Sequence, residues 1–400
     1  WTIGKAKLTS TFSQSGALIY TGKAQSPTIS GYSATYHTIT GNSGTNAGSY
    51  TAKVALKDTN HAWSDGTTAA KNVTWSIGKA AGSLTLSKSS VNLIGSTSTA
   101  STTFTVTRTG DGAITVASSN TGVATVSFSG TTVTVKGKAT GSATITVKVA
   151  AGTNYTAPSN KTVSVSVTIY SATIGNCTPA QIKEVIQKGV HKTIWNVGDV
   201  GPGMTISGWS TNGRASYSGT YYPFILGFDH NVSVETGGKS SIHFSLARLS
   251  GHDIGFYGSI MHPPSSEWAY RRRFDLLAGC VEEKWANVIS AISKYAGTTA
   301  TNAKFWLMSE FEVFGTITYA NAAEKEKQKQ YSYYANGNSK VRYFHTENRV
   351  CAWWLRSQSA SASHYYCAVS ANGTAIRAPG DNRFINNSES LFVPCFAITA

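Results

Sequence analysis

The sequence predicts a multidomain chain: two all-β sandwiches followed by one α+β domain over residues 171–400. Three observations carry this. Trp1-Thr2-Ile3-Gly4-Lys5-Ala6 recurs as Trp75-Ser76-Ile77-Gly78-Lys79-Ala80, the mark of tandem modules. Apolar and polar residues alternate with period two through most of residues 7–170, as in half-buried strands. After Tyr170 that alternation gives way to capped helical stretches and aromatic-rich segments.

Residues 1–6 read as the last strand of a preceding repeat, so a longer array is expected. The first module spans 7–80. Tyr50, Ala52, Val54 and Leu56 alternate with Thr51, Lys53 and Ala55, as Val73, Trp75 and Ile77 do with their neighbours. Gly41-Asn42-Ser43-Gly44 and Asn46-Ala47-Gly48 supply turns. The second module spans 81–170, with strand-like runs through Val116, Val133/Val135, Ile145/Val147/Val149 and Val163/Val165/Val167/Ile169. Short strands at this turn spacing argue a sandwich of immunoglobulin type.

In the third region Thr178-Pro179 precedes Ile182, Val185 and Ile186, with Gly189 beyond. This predicts a helix capped by Thr178 and ended by glycine. Val281, Trp285, Val288, Ile289 and Ile292 recur at helical spacing and predict a helix over 281–295. A third is expected over 320–334, and strands are expected at 222–228 and 241–244.

Charged residues are 13% of the chain, which suits an extracellular or virion protein better than a cytosolic enzyme. The formal charge is +15. The basic residues sit singly on alternating strand positions, as in Val135-Lys136-Gly137-Lys138, so solvated strand faces are expected and no specific nucleic-acid site. No run approaches the ~20 apolar residues of a membrane helix, so no membrane insertion is expected. No signal peptide is visible, which says little about export in a chain that opens at Trp1 without methionine. Cys177, Cys280, Cys351, Cys367 and Cys395 are an odd set without zinc spacing; they read as buried small hydrophobes rather than a disulfide framework or metal site.

Candidate catalytic groups are few. Asp229-His230 and His252-Asp253 lack a third partner by spacing, and structural or surface roles are favoured. Glu310 and Glu312, placed two apart on an expected strand, could mimic a carboxylate pair; pairing with an arginine is the favoured role. Trp268-Ala269-Tyr270-Arg271-Arg272-Arg273 mixes aromatics with basic residues, one recipe for binding anions, with inward packing and ion pairing favoured. The last fifty residues differ. Ser359, Ala360, Ser361, Ala362, Ser363, His364, Tyr365 and Tyr366 lie between a Trp353-Trp354 segment and a Pro394/Phe396 end. Tyrosine with Ser, Gly and Asn is the composition of a binding surface.

Residues 81–170 resemble the bacterial Ig-like group 2 family, through Ser119-Asn120, Val123-Ala124-Thr125-Val126 and Gly141-Ser142-Ala143-Thr144-Ile145-Thr146-Val147. The first module is similar to related bacterial Ig repeats opening with Tyr20-Thr21-Gly22-Lys23. Such modules imply spacers or weak adhesion units. Residues 171–400 resemble a family of phage and prophage proteins, through Trp195-Asn196-Val197-Gly198-Asp199, Phe224 to His230, Ser309 to Gly315, Gln330-Tyr331 with Tyr333-Tyr334, and Trp353 to Ser357. That resemblance implies a C-type-lectin-like fold, similar to the variable proteins of diversity-generating retroelements. It implies a fixed frame of Trp353, Trp354, Arg356, Cys367, Pro394 and Phe396. Exposed, ligand-reading positions are implied at Ser359, Ala360, Ala362, His364, Ala368, Ser370, Thr374, Ile376 and Arg377, with Tyr365 and Tyr366 as further anchors. Gln358 and Phe392 depart from the family pattern.

The calcium loop of sugar-binding C-type lectins does not occur, so no metal and no cofactor is expected. The fold is also similar to the formylglycine-generating enzyme, whose copper site needs paired cysteines; Cys351 and Cys367 flank the Trp-Trp strand, but Cys367 falls at a core position, and no enzyme is expected. The expected function is a receptor-binding protein of a phage or prophage particle, at the virion surface or extracellular. Its expected partners are a bacterial surface protein or glycan, other virion or surface proteins through the upstream modules, and further copies of itself. A bacterial adhesin or structural protein is the alternative, and a cell-wall glycan hydrolase using Glu310 or Glu312 a third.

Overall fold

A computed structural model describes residues 3–210, 216–249, 252–257, 271–296, 299–344, 349–361, 365–379 and 391–400. The chain is mostly β and splits into two compact units. One is Trp1–Leu93 with Ala100–Thr168; the other is Ile94–Thr99 with Ile169–Ala400.

In the first unit, the strands Gly48–Leu56 and Lys71–Gly78 pair antiparallel with Tyr50 opposite Trp75 and Ala52 opposite Val73. Alternation sends Ala52, Val54, Val73, Trp75 and Ile77 inward around Trp63, and all are buried. The second module is a sandwich of two four-stranded sheets. One holds Ser90–Gly95, Lys161–Ile169, Gly141–Val149 and Ile114–Ser118; the other holds Ala124–Ser129, Thr132–Gly137, Ser101–Thr109 and Ser83–Leu86. Between them Val133, Val135, Ile145, Val147 and Val163 are fully buried, each contributing ~1.5–3 kcal/mol by leaving water.

The second unit opens with the expected helix, Pro179–Gln187. Thr178 and Gln181 form a reciprocal capping box, and Ile182, Val185 and Ile186 are its buried face. Gly189 takes φ +71°, ending the helix. The main sheet runs Met204–Ser210, Ser216–Phe228, Ser241–Leu249, His252–Tyr257, Leu391–Phe392, Trp353–Gln358, Tyr365–Val369 and Ala375–Pro379. The last strand, Cys395–Thr399, returns to pair with Ser241–Leu249 and with Phe305–Trp306. A register shift between Trp354 and Gln358 interrupts the hairpin. Such a bulge breaks strict alternation, and Trp353 through Ser357 are all buried.

Several expectations are corrected. The 281–295 segment is a single turn, Glu283–Ala286, followed by the strand Ile292–Ala296 paired with Thr299–Ala303. Its apolar residues are buried as the spacing suggested, but by a turn and a strand. A longer helix lies earlier, at Arg271–Cys280; Trp268, Ala269 and Tyr270 fall outside the described residues. The 320–334 segment holds two single turns, Glu324–Lys327 and Ser332–Ala335. Glu310 and Glu312 lie on a short helix, Glu310–Phe314, not a strand. All five cysteines are free and four are buried, Cys280 being half-buried.

Candidate functional site

Two linked features of the C-terminal unit stand out, a buried ionic network and the hairpin surface above it. The network starts at the turn after Ser216–Phe228. Asp229 and Asn231 both take left-handed φ, +45° and +47°, a conformation uncommon outside glycine. Asp229 is held by the Ser241 amide at 2.7 Å and by Lys192, and Asn231 Nδ2 donates to the Lys327 carbonyl at 2.8 Å. Between them His230 is buried with its ring stacked on Tyr331 at 3.9 Å.

Lys294 comes from the strand Ile292–Ala296 and is wholly buried. It donates to Glu235 Oε1 at 2.8 Å, Glu312 Oε1 at 2.5 Å and Tyr331 Oη at 3.3 Å. Arg356, from the Trp-Trp strand, donates to Glu312 Oε2 at 2.5 Å, to the Leu307 and Tyr295 carbonyls at 2.7 and 2.8 Å, and to Gln328 Oε1 at 3.1 Å. Two carboxylates thus meet one ammonium and one guanidinium. Burial pushes the His230 pKa down to about 3 and the His243 pKa well below the ordinary value, so both rings are neutral. Burial pushes Glu235 up to about 7, partly opposed by Lys294. At Glu312 burial acts upward, but Arg356 and Lys294 outweigh it and hold the carboxyl well below its usual range.

His230, Glu235 and Glu312 offer ligand atoms within 4.8 Å of one another. Lys294 Nζ already bonds both carboxylates, and an added cation would meet the Arg356 charge as well. The donor set does not fit a metal ion. Nor do the glutamates fit acid–base work on an external substrate, because Glu310 and Glu312 are both fully buried.

Residues two apart on a helix point about 200° apart, so Glu310 faces away from Glu312. Its carboxylate accepts the backbone N–H groups of Thr318, Tyr319 and Ala320 at 2.7–3.2 Å. Cys367 Sγ lies 3.8 Å from it. The Glu310 amide donates to Ser357 Oγ at 2.8 Å, and Ser357 Oγ donates to Glu324 Oε2 at 2.8 Å. The loop pinned in this way meets the hairpin tip. Ala320 bridges to Ser359, and the Ala360 amide donates to the Tyr319 carbonyl at 2.8 Å.

Above this clamp, Arg377 is exposed, with its guanidinium 6.0 Å from the Tyr319 ring and 5.5 Å from the Tyr365 ring. It also donates to Ser361 Oγ. Ala360 and Thr374 are exposed, and Tyr365, Ser370 and Ile376 are half-buried. Ser359, Tyr366 and Ala368, expected at the surface, are buried at 5%, 8% and 1% exposure. The reason is topological: Tyr365–Val369 lies between Trp353–Gln358 and Ala375–Pro379, with Tyr366 to Val369 all buried, and Ser359 is covered where it bridges to Ala320. Ser370 and Thr374 bond each other at 2.8 Å across the turn that Gly373 completes at φ +84°; their hydroxyls shape the turn. Ala362 and His364 lie outside the described residues. Trp353, Trp354, Arg356, Cys367, Pro394 and Phe396 are all buried. Spacing gave no sign of Tyr319, Glu235, His243 or Lys294; the Asp229-His230 pair and the expected pairing of Glu310 or Glu312 with an arginine, met by Glu312 and Arg356, were the hints of the network.

Residues 281–398 match a family model described as a domain of unknown function, DUF6273. No curated protein matches the chain in sequence. Among solved structures, the fibronectin(III)-like modules of Clostridium thermocellum CbhA are 16% identical, covering 39% of this chain and 91% of that one, at a TM-score of 0.17. The D00-D0 domain of intimin is 15% identical, covering 40% and 100%, at 0.18. Domains 4–9 of surface layer protein SbsC are 14% identical, covering 92% and 65%, at 0.22.

Proposed function

We propose that the chain is a receptor-binding protein, with Ig-like modules as spacers and the C-terminal unit as a C-type-lectin-like head. The head binds a protein or glycan of a bacterial surface through its hairpin face, and the chain belongs to a phage or prophage particle. The observation that carries this reading is the Tyr319–Arg377–Tyr365 group with Ser361, set on a loop and hairpin that Glu310 pins from below. Tyrosine and arginine are the residues that most often anchor interfaces. A contact surface held by buried hydrogen bonds loses little freedom on binding, so more of the contact energy appears as affinity. Recognition here needs shape and hydrogen bonding, with no reacting group.

Exchange of residues 358–377 for those of a DUF6273 relative tests this. The expected result is a change in which bacterial strains the full chain binds, with the melting temperature nearly constant. Binding that keeps its strain preference after the exchange overturns the reading. Binding that instead follows changes in residues 7–170 favours an adhesin that reads through its modules.

A further inference from the structure

The two modules of the first unit meet through a small built joint. Leaving the first module, Gly78 accepts the Tyr20 amide at 2.9 Å, and Lys79 Nζ reaches the Gly152 carbonyl at 2.7 Å. Ala80 then pairs parallel with Tyr155, its amide donating to the Asn154 carbonyl at 2.9 Å. The Asn154 side chain reaches back across the joint. Its Oδ1 accepts the Ala47 amide at 2.9 Å and its Nδ2 donates to Asn46 Oδ1 at 3.3 Å. The Tyr155 ring sits edge-on to Tyr20 at 5.3 Å. The Asn154 amide itself is held by Asp111 Oδ2 at 2.9 Å.

The backbone part of this arrangement recurs where Ile3-Gly4-Lys5-Ala6 enters the first module, in register with Ile77-Gly78-Lys79-Ala80. Ala6 pairs parallel with His61, and its amide donates to the Asn60 carbonyl at 2.9 Å. The Asn60 amide is held by a carboxylate, Asp58 Oδ1, at 2.8 Å. Thr59-Asn60-His61 stands where Thr153-Asn154-Tyr155 stands in the second module, and the Asn60 side chain is exposed.

We infer that the Asn60–His61 corner is a second copy of this clasp, a docking surface for a module of the same type as residues 7–80. Asn60 takes the part of Asn154, gripping the Asn46-Ala47 turn of the docked module. His61 takes the part of Tyr155 against its Tyr20. The joint is therefore a transferable coupling that fixes the angle between successive modules, and Asn154 and Asn60 are its key side chains.

The test uses the full chain with a second copy of residues 7–80 inserted after Ala80, the insert marked by Ser49→Thr so that its peptides differ in mass. Amide exchange at Ala47 is read in the leading copy. In the natural chain Asn154→Ala is expected to speed Ala47 exchange about fivefold, the factor that goes with one ordinary hydrogen bond, whereas Asn60→Ala leaves it unchanged. In the duplicated chain, Ala47 of the leading copy should be as protected as in the natural chain. Asn60→Ala in the insert should remove that protection, with the melting temperature of each variant reporting intact folding. Fast Ala47 exchange in the duplicated chain, or protection that survives Asn60→Ala in a folded insert, overturns the inference.

Discussion

The second sandwich and the C-terminal unit are held together by different means. In the sandwich, period-two alternation places Val133, Val135, Ile145 and Val163 between two sheets, and neighbours in sequence define the core. In the C-terminal unit an aromatic core surrounds Glu235, Lys294, Glu312 and Arg356, which come from four separate segments. Apolar packing tolerates substitutions of similar volume. A buried ion network does not, because removing one member strands another charge. The sandwich thus tolerates change position by position, whereas the network ties four segments of the C-terminal unit into one arrangement.

This contrast can be broken in order of effect. Glu312→Ala leaves Lys294 and Arg356 without their shared carboxylate, and a loss of ~3–5 kcal/mol is expected. Calorimetry should show the C-terminal unit melting earlier while the sandwich transition stays in place. Next, Glu324 is buried and its carboxyl is pushed up to about 7, burial outweighing the nearby Arg356. A carboxyl raised in the folded state stabilises below the unfolded value near 4.5, and that contribution is lost as pH rises through about 7. Glu324→Gln, a mimic of the protonated acid, should therefore gain on the natural chain between pH 4.5 and 8, by up to ~3 kcal/mol. Urea melts across that range check it; a constant difference contradicts it. A smaller effect, ~1 kcal/mol, is expected for Ile145→Val in the sandwich, confined to that transition. Smallest in stability is Arg377→Ala, exposed and away from both cores, which should change folding by under ~0.5 kcal/mol.

The parts legible in the sequence are those whose partners lie close along the chain. Alternation marked the strands of both modules, and Thr178, Pro179 and Gly189 marked the capped helix. The spacing of Val281, Trp285 and Ile292 misled because burial from several sides mimics a helical face without the backbone being helical. Glu310 and Glu312 were legible as a pair to be explained, yet their short helix, which turns them apart, depends on the Ser309 cap and on partners at 318–320, 294 and 356. Tyr319 gave no local signal, since only the Glu310 clamp brings it to Arg377. The burial of Tyr366 and Ala368 follows from strand order and that of Ser359 from its bridge to Ala320, neither of which the hairpin's own composition encodes.

The most direct measurement compares binding of the full chain to a panel of bacterial strains with that of Arg377→Ala and Tyr319→Ala, alongside their melting curves. The account predicts that both variants lose binding by about thirtyfold or more, as for interface anchors worth ~2 kcal/mol, while the melting curve of Arg377→Ala overlays that of the natural chain and Tyr319→Ala, whose half-buried ring packs against the core, stays folded at the assay temperature. Undiminished binding by both folded variants would contradict it.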